Sequence, residues 1–284
     1  MFSTIIVAID GEVGGLDASA LGATLACPYT DLVFAHVRLV TPEGRASGGS
    51  KSKDWQRAAL ELAAGACDVD RVRSIKAVIV DAQSVAVGLH ALAEERSADL
   101  IVVGSHHRRR SGRLWSADRT RATLRDAECP VAVAPRGYAE MPQHPMTTVG
   151  TNFDGTDEAR TALRFARGLA DETGAHVHAI WVVNRSNWPD AESGMGRLVL
   201  DATRRLANLD DVVGTVVEAD VGHADHAFAD FAREVDVLIL ASHHHGLLSR
   251  LVIGDSARGL TRRLTCPLLV MAHRSPITPL RRSG

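Results

Sequence analysis

The sequence predicts an α/β protein built twice over: two doubly wound parallel sheets of five strands each, in tandem. Residues 98–107 read ADLIVVGSHH and residues 235–244 read VDVLILASHH. One frame then pairs Asp99 with Asp236, His106 with His243, His107 with His244, Arg113 with Arg250, Asp118 with Asp255, Arg121 with Arg258 and Cys129-Pro130 with Cys266-Pro267. Agreement over such a span marks an internal duplication. In each half, apolar runs too continuous to have a solvated face alternate with helical patterns, as in parallel strands covered on both sides. The 284 residues divide into halves of about 140, each long enough to bury its own core.

In the first half, Thr4 to Ile9 reads as a strand, Leu16 to Cys27 as a helix, Leu32 to Val37 as a strand, Trp55 to Cys67 as a helix and Arg73 to Val80 as a strand. Ser84 to Arg96 places Val85, Leu89, Leu92 and Ala93 at helical spacing and leads into the apolar strand Leu100 to Val103. A helix over Ala117 to Ala127 precedes a short strand, Val131 to Ala134. The second half repeats the order, with strands at Thr148 to Thr151, His176 to Val183, Val212 to Glu218, Val237 to Leu240 and Leu268 to Ala272. Its helices fall at Glu158 to Glu172, Glu192 to Asn208, Ala224 to Glu234 and Asp255 to Leu264.

The Gly/Ser-rich stretch Thr41 to Lys53 reads as a mobile surface loop, and Arg136 to Met146, with two prolines, as the break between copies. The expected organisation is a first domain over 1–138, a linker over 139–146, a second domain over 147–276 and a tail over 277–284. Four cysteines without C-x-x-C spacing read as buried thiols of a reducing cytosol, not a disulfide framework or zinc site. No apolar run approaches a membrane span, and a net charge of −2 gives no reason to expect nucleic acid or an anionic membrane as partner. The expectation is a cytoplasmic protein.

Ligands of doubly wound sheets sit beyond the carboxyl ends of the strands, where the strand order reverses. Two loops in each half lie there. One opens with Asp10-Gly11 or Asp154-Gly155, where a carboxylate can take ribose hydroxyls, or can cap the following helix. The other runs from Gly104 to Ala117, or from Ala241 to Gly254, and ends at a helix start, where free N–H groups favour anions.

These residues resemble the universal stress protein family in its tandem form. The resemblance covers almost the whole chain and rests most on ADLIVVGS with CPVAV in one half, and on FDGTDEARTALRFA with CPLLV in the other. It implies flavodoxin-like (Rossmann-like) domains whose last strands meet edge to edge, a homodimer or a self-paired tandem, and a stress-response regulator with a protein partner that the sequence does not identify. It implies an adenine nucleotide as ligand: AMP, a cyclic nucleotide, or ATP with Mg²⁺. The residues placed at that site are Asp10, Val37, Val103 and Gly104 in the first copy, and Asp154, Val182, Leu240, Gly254 and Ser256 in the second.

Nucleotide-binding members carry Gly, two residues, Gly, nine residues, then Gly-Ser or Gly-Thr, so that backbone can approach phosphate closely. Here the first copy has Gly104, His107, Ala117 and Asp118 at those positions, and the second has Ala241, His244, Gly254 and Asp255. A carboxylate ~4 Å from a phosphate charge costs on the order of 4 kcal/mol at an effective dielectric of ~20. Arg108 to Arg110 and Arg121, or His244, His245 and Arg258, stand nearby in sequence to offset it. The adenosine end is therefore expected to carry more of the binding than the phosphates. The alternative is a nucleotide-free scaffold whose altered loops only pack. His243 to His245, and His223 with His226, lack the spacing of a zinc set and read as solvated or packing residues. No P-loop lysine, nucleophile elbow or H-E-x-x-H occurs, so no catalytic residue and no enzyme activity is expected.

Overall fold

In a computed structural model, the described residues are 2–9, 13–41, 71–105, 120, 122–125, 127–142, 144–184, 191–220, 223–241 and 263–271. They fall into two compact units, one within Met1–Pro142 and one within Gln143–His273. The expected helix over Trp55 to Cys67, the expected anion loops beyond Ser105 and beyond Ala241, parts of the helices after them, and Asp10, Gly254 and Ser256 lie outside the described residues.

The first unit contains β1 (Thr4–Ala8), α1 (Val13–Leu25), β2 (Asp31–Leu39), β3 (Ser74–Ala82), α2 (Val85–Arg96), β4 (Leu100–Gly104) and β5 (Val131–Ala134). Its strands are parallel in the order β3-β2-β1-β4-β5. Chain order therefore reverses between β1 and β4. The helices cover opposite faces. Gly22 of α1 lies so close to Val7 that a Cβ would come within 2.6 Å of it, and a Cβ on Gly88 of α2 would stand 2.8 Å from Val37, one strand and one face away. Ile5, Ile6, Phe34, Leu100 and Ile101 are fully buried between these layers, each contributing about 1.5–3 kcal/mol of burial. Ser84 starts α2 by accepting the Val87 N–H, and Ser97 ends it in the left-handed region.

The outer ladder β2–β3 is held at both ends by ion pairs. Arg73 and Ser74 donate to Asp31 at the strand starts, holding that carboxyl down at about 2, and Arg38 donates to Asp81 at the far end at 2.6 Å. Past β5 the chain turns through a short 3-10 segment, Tyr138–Glu140. Asp17 of α1, 1% exposed, accepts the N–H groups of Gly137 and Ala139 at 3.0 Å. A buried carboxylate thus satisfies the free amides of that turn.

The second unit contains β6 (Thr148–Asn152), α3 (Asp157–Thr173), β7 (His176–Asn184), α4 (Ala191–Ala207), β8 (Val212–Ala219), α5 (Ala224–Phe231), β9 (Val237–Ala241) and β10 (Leu268–Met271). The order β10-β9-β6-β7-β8, all parallel, repeats the first unit. Gly150 lets α5 close onto β6: a Cβ there would stand 3.0 Å from Phe231. Gly214 does the same for α4, with Leu206 at 2.7 Å. Since side chains alternate across a strand, α5 covers the face of Gly150 and Asn152, and α4 covers the other.

The duplicated Asp99/Asp236 pair sits at the strand starts, opposite the ends where ligands bind in such folds. Asp99 Oδ2 accepts the Ser3 and Thr4 N–H groups at 2.7 and 2.9 Å. Asp236 Oδ2 accepts those of Thr147 and Thr148 at 2.6 and 2.9 Å, and the Thr147 hydroxyl at 2.9 Å. In both units the carboxylate ties the fourth strand's start to the first strand. Burial alone would raise the Asp236 pKa, but these donors outweigh it and the net shift is downward. The duplicated thiols lie beside these carboxylates, and burial first, then the neighbouring Asp, pushes Cys129 and Cys266 up to about 12.

Candidate functional site

In both units the central strand stops short of its neighbours. The last β1 partner on β2 is Ala35, yet β2 runs on to Leu39; the last on β4 is Val102, yet β4 runs on to Gly104. Likewise β6 pairs with β7 through Ile180 and with β9 through Ile239, while those strands continue to Asn184 and Ala241. A crevice opens where the strand order reverses, bordered by backbone edges of the longer strands. Such an edge can hydrogen-bond a flat ligand.

Around the first crevice, Val37 and Val103 share the α2 face of the sheet. The Val37 γ-carbons fill the space left by Gly88, so that side chain is committed to the helix and its backbone is what borders the crevice. The Gly104 carbonyl accepts from the buried Thr120 hydroxyl at 3.2 Å, fixing the end of β4. Beyond β1, Ile9 donates to the Ala35 carbonyl at 2.9 Å and its own carbonyl meets His36 Nδ1 at 3.1 Å.

In the second unit Val182 and Leu240 lie on the longer strands beside the end of β6, and Asp154 follows β6. Phe153 donates to the Ile180 carbonyl at 2.9 Å, as Ile9 does in the first unit. The chain then turns through Asp154, whose Oδ1 accepts the Thr156 N–H at 3.1 Å and hydroxyl at 2.6 Å. Thr156 in turn caps α3 by accepting the Ala159 N–H at 3.2 Å. Gly155 between them has φ +80° and lies over Trp181 and Arg205, and Phe153 packs edge-on to Trp181 at 5.9 Å. Asp154 is thereby presented at the crevice lip, exposed.

One residue there escaped the sequence reading. Asn152, the last of β6, is 3% exposed, and among the described residues its Oδ1 has no hydrogen-bond partner. It shares a sheet face with Ile180 and Val182 on β7 and, one step beyond the last β6–β9 pair, with Leu240. Two residues below on that face, His178 bonds Thr215 Oγ1 at 2.8 Å and meets Phe231 edge-on at 4.8 Å. Burial lowers its pKa, with Glu234 opposing. No sequence signal marks Asn152: it ends the strand TVGTN at the place that Ala8 takes in the first copy.

His223 is the residue before α5, as the expected helix start at Ala224 has it. Its ring lies 5.6 Å from that of His226, which carries the Arg263 guanidinium on its nitrogens at 2.9 and 3.0 Å. A cation held against that ring competes with any metal ion for it.

A profile of the Universal stress protein family matches the chain twice, over residues 1–135 and 146–272. A curated universal stress protein from Synechocystis is 24% identical over 148 residues, 51% of this chain and 48% of its own; the chain thus spans about half the length of that relative. Among solved structures, a universal stress protein from Archaeoglobus fulgidus superposes with a TM-score of 0.64 at 15% identity, covering 94% of this chain and 95% of its own. One assigned to the same family from Pseudomonas aeruginosa superposes with a TM-score of 0.60 at 18% identity, covering 95% and 93%. These likenesses show the flavodoxin-like fold. With its two profile matches, the chain belongs to the universal stress protein family, as a tandem of two of its domains.

Proposed function

We propose that this chain is a stress-response regulator that binds an adenine nucleotide in the crevice over β6, mainly through the adenosine end, and carries out no chemistry on it. The observation that carries the reading is the short central strand. It leaves the β7 and β9 backbone edges unpaired by β6 beyond Ile180 and Ile239, with the apolar Val182 and Leu240 on those strands and the loop-held Asp154 just past β6. Backbone edges and apolar walls suit a base, and a carboxylate suits the ribose hydroxyls. The first crevice offers Val37, Val103 and Gly104 in the same places, with Asp10 the expected ribose partner by sequence. Gly254 and Ser256 remain the nominated phosphate residues, with Mg²⁺ needed only for ATP. Domains 1–138 and 147–276 would act as a pair or within a homodimer, in the cytoplasm, on a protein partner.

One observation favours the nucleotide-free scaffold instead: Asp154 Oδ1 already serves Thr156. Calorimetric titration with AMP, ADP, ATP and cyclic AMP, with and without Mg²⁺, separates the two. Because Asp255 follows Gly254 in the phosphate loop, affinity should stay flat or fall from AMP to ATP without metal. A steep rise with phosphate number would refute the adenosine-end reading, and no heat with any nucleotide would leave the scaffold.

A further inference from the structure

We propose that Asn152 is the specificity-determining residue of the second crevice, its carboxamide oxygen accepting a hydrogen bond from the 6-amino group of a bound adenine. The inference rests on the nucleotide reading above and adds to it the chemistry by which the base is chosen. Buried side-chain oxygens are seldom left without a donor, and an unpaired one costs about 1–3 kcal/mol. Among the described residues Asn152 Oδ1 is such an atom, in a residue 3% exposed. Nothing in the sheet requires a carboxamide there: the first copy ends its central strand with Ala8 at the matching place.

The position fits a base reader. Asn152 ends the short central strand, between Val182 and Leu240 on the same sheet face, so a base held between those walls puts its edge against the amide. A carboxamide sets an acceptor beside a donor, the pattern complementary to the adenine amino group and an adjacent ring nitrogen. Exchanging the amide's two ends would keep that pair and only reverse its order. With Ala8 in place of the amide, the first crevice has no equivalent reader, so discrimination belongs to the second domain.

The test titrates the full chain with AMP and with purine riboside 5′-monophosphate, which lacks only the 6-amino group, and repeats both with Asn152→Ala. The wild type should prefer AMP by roughly tenfold or more. Asn152→Ala should bind both alike, near the level of the analogue in the wild type, with a melting curve recorded to show that it is folded. Equal affinity of the wild type for both ligands would overturn the role of Asn152 while leaving nucleotide binding intact, as would an AMP preference retained by Asn152→Ala. Failure of the wild type to bind either ligand would overturn both the nucleotide reading and this one. Should Asn152→Ala fail to fold, Asn152→Ser takes its place in the same comparison, and an AMP preference it retains in full would overturn the role of Asn152.

Discussion

Replacing Asp236 by Ala removes the acceptor of three hydrogen bonds at the start of β6: the Thr147 and Thr148 amides at 2.6 and 2.9 Å and the Thr147 hydroxyl at 2.9 Å. Bonds to a charged group are worth about 1.5–3 kcal/mol net when buried. The Asp236 side chain is 20% exposed and Thr147 is exposed, so water recovers part of the loss, and about 3 kcal/mol is expected for the substitution. For a domain of roughly 130 residues this lowers the melting temperature by about 10 °C. The His144 contact at 3.7 Å is a surface pair and adds little.

The same residue sets an acid limb. Its folded pKa lies below the unfolded value, so its contribution is complete above about pH 4 and is lost as pH falls below that toward the folded pKa. Scanning calorimetry between pH 3 and pH 7 should show the Asp236→Ala domain melting early at neutral pH, with the difference from wild type shrinking in acid. Asp99→Ala, which removes two bonds rather than three, should act on the first domain in the same direction and by less. Melting of Asp236→Ala within about 1 °C of wild type at pH 7 would refute the clamp.

Two further expectations concern the loop at the crevice and the duplicated thiols. Gly155→Ala forces a side chain into φ +80°, while its Cβ would meet Arg205 and Trp181 only at 3.4–3.5 Å. The cost is therefore backbone strain of about 1–2 kcal/mol, read as a lower melting temperature and, because Asp154 is displaced, weaker AMP binding. Cys129 and Cys266, pushed up to about 12 by burial, should resist a thiol-specific reagent at pH 8 in the native chain and react when it is unfolded; rapid native labelling at either would contradict their placement.

Much of the fold was legible because the duplication fixed the frame and the buried strands carry unbroken apolar runs. The misses have local causes. The helix expected from Leu16 begins earlier, at Val13, and takes in Gly14 and Gly15, residues that weaken a helix. The helix expected to reach Glu234 ends at Phe231, because the chain must turn there for Asp236 to reach Thr147, a demand that helical periodicity cannot register. At the site, Asp154, Val182 and Leu240 could be nominated because they lie at or near the ends of recognisable strands. Asn152 could not, since a single Asn at a strand's end reads as the start of a turn, and only burial without a donor sets it apart. Asp99 and Asp236 show the converse: both copies keep them, but their work is at the sheet's other end.

Nucleotide binding over β6 is tested most directly by titrating AMP into the full chain and into Val182→Trp, which fills the crevice wall with an indole at a half-buried position. Saturable heat is expected with the wild type and its loss in Val182→Trp, at an unchanged melting temperature for the first domain. Absence of heat with the wild type, or equal binding by the two proteins, would contradict it.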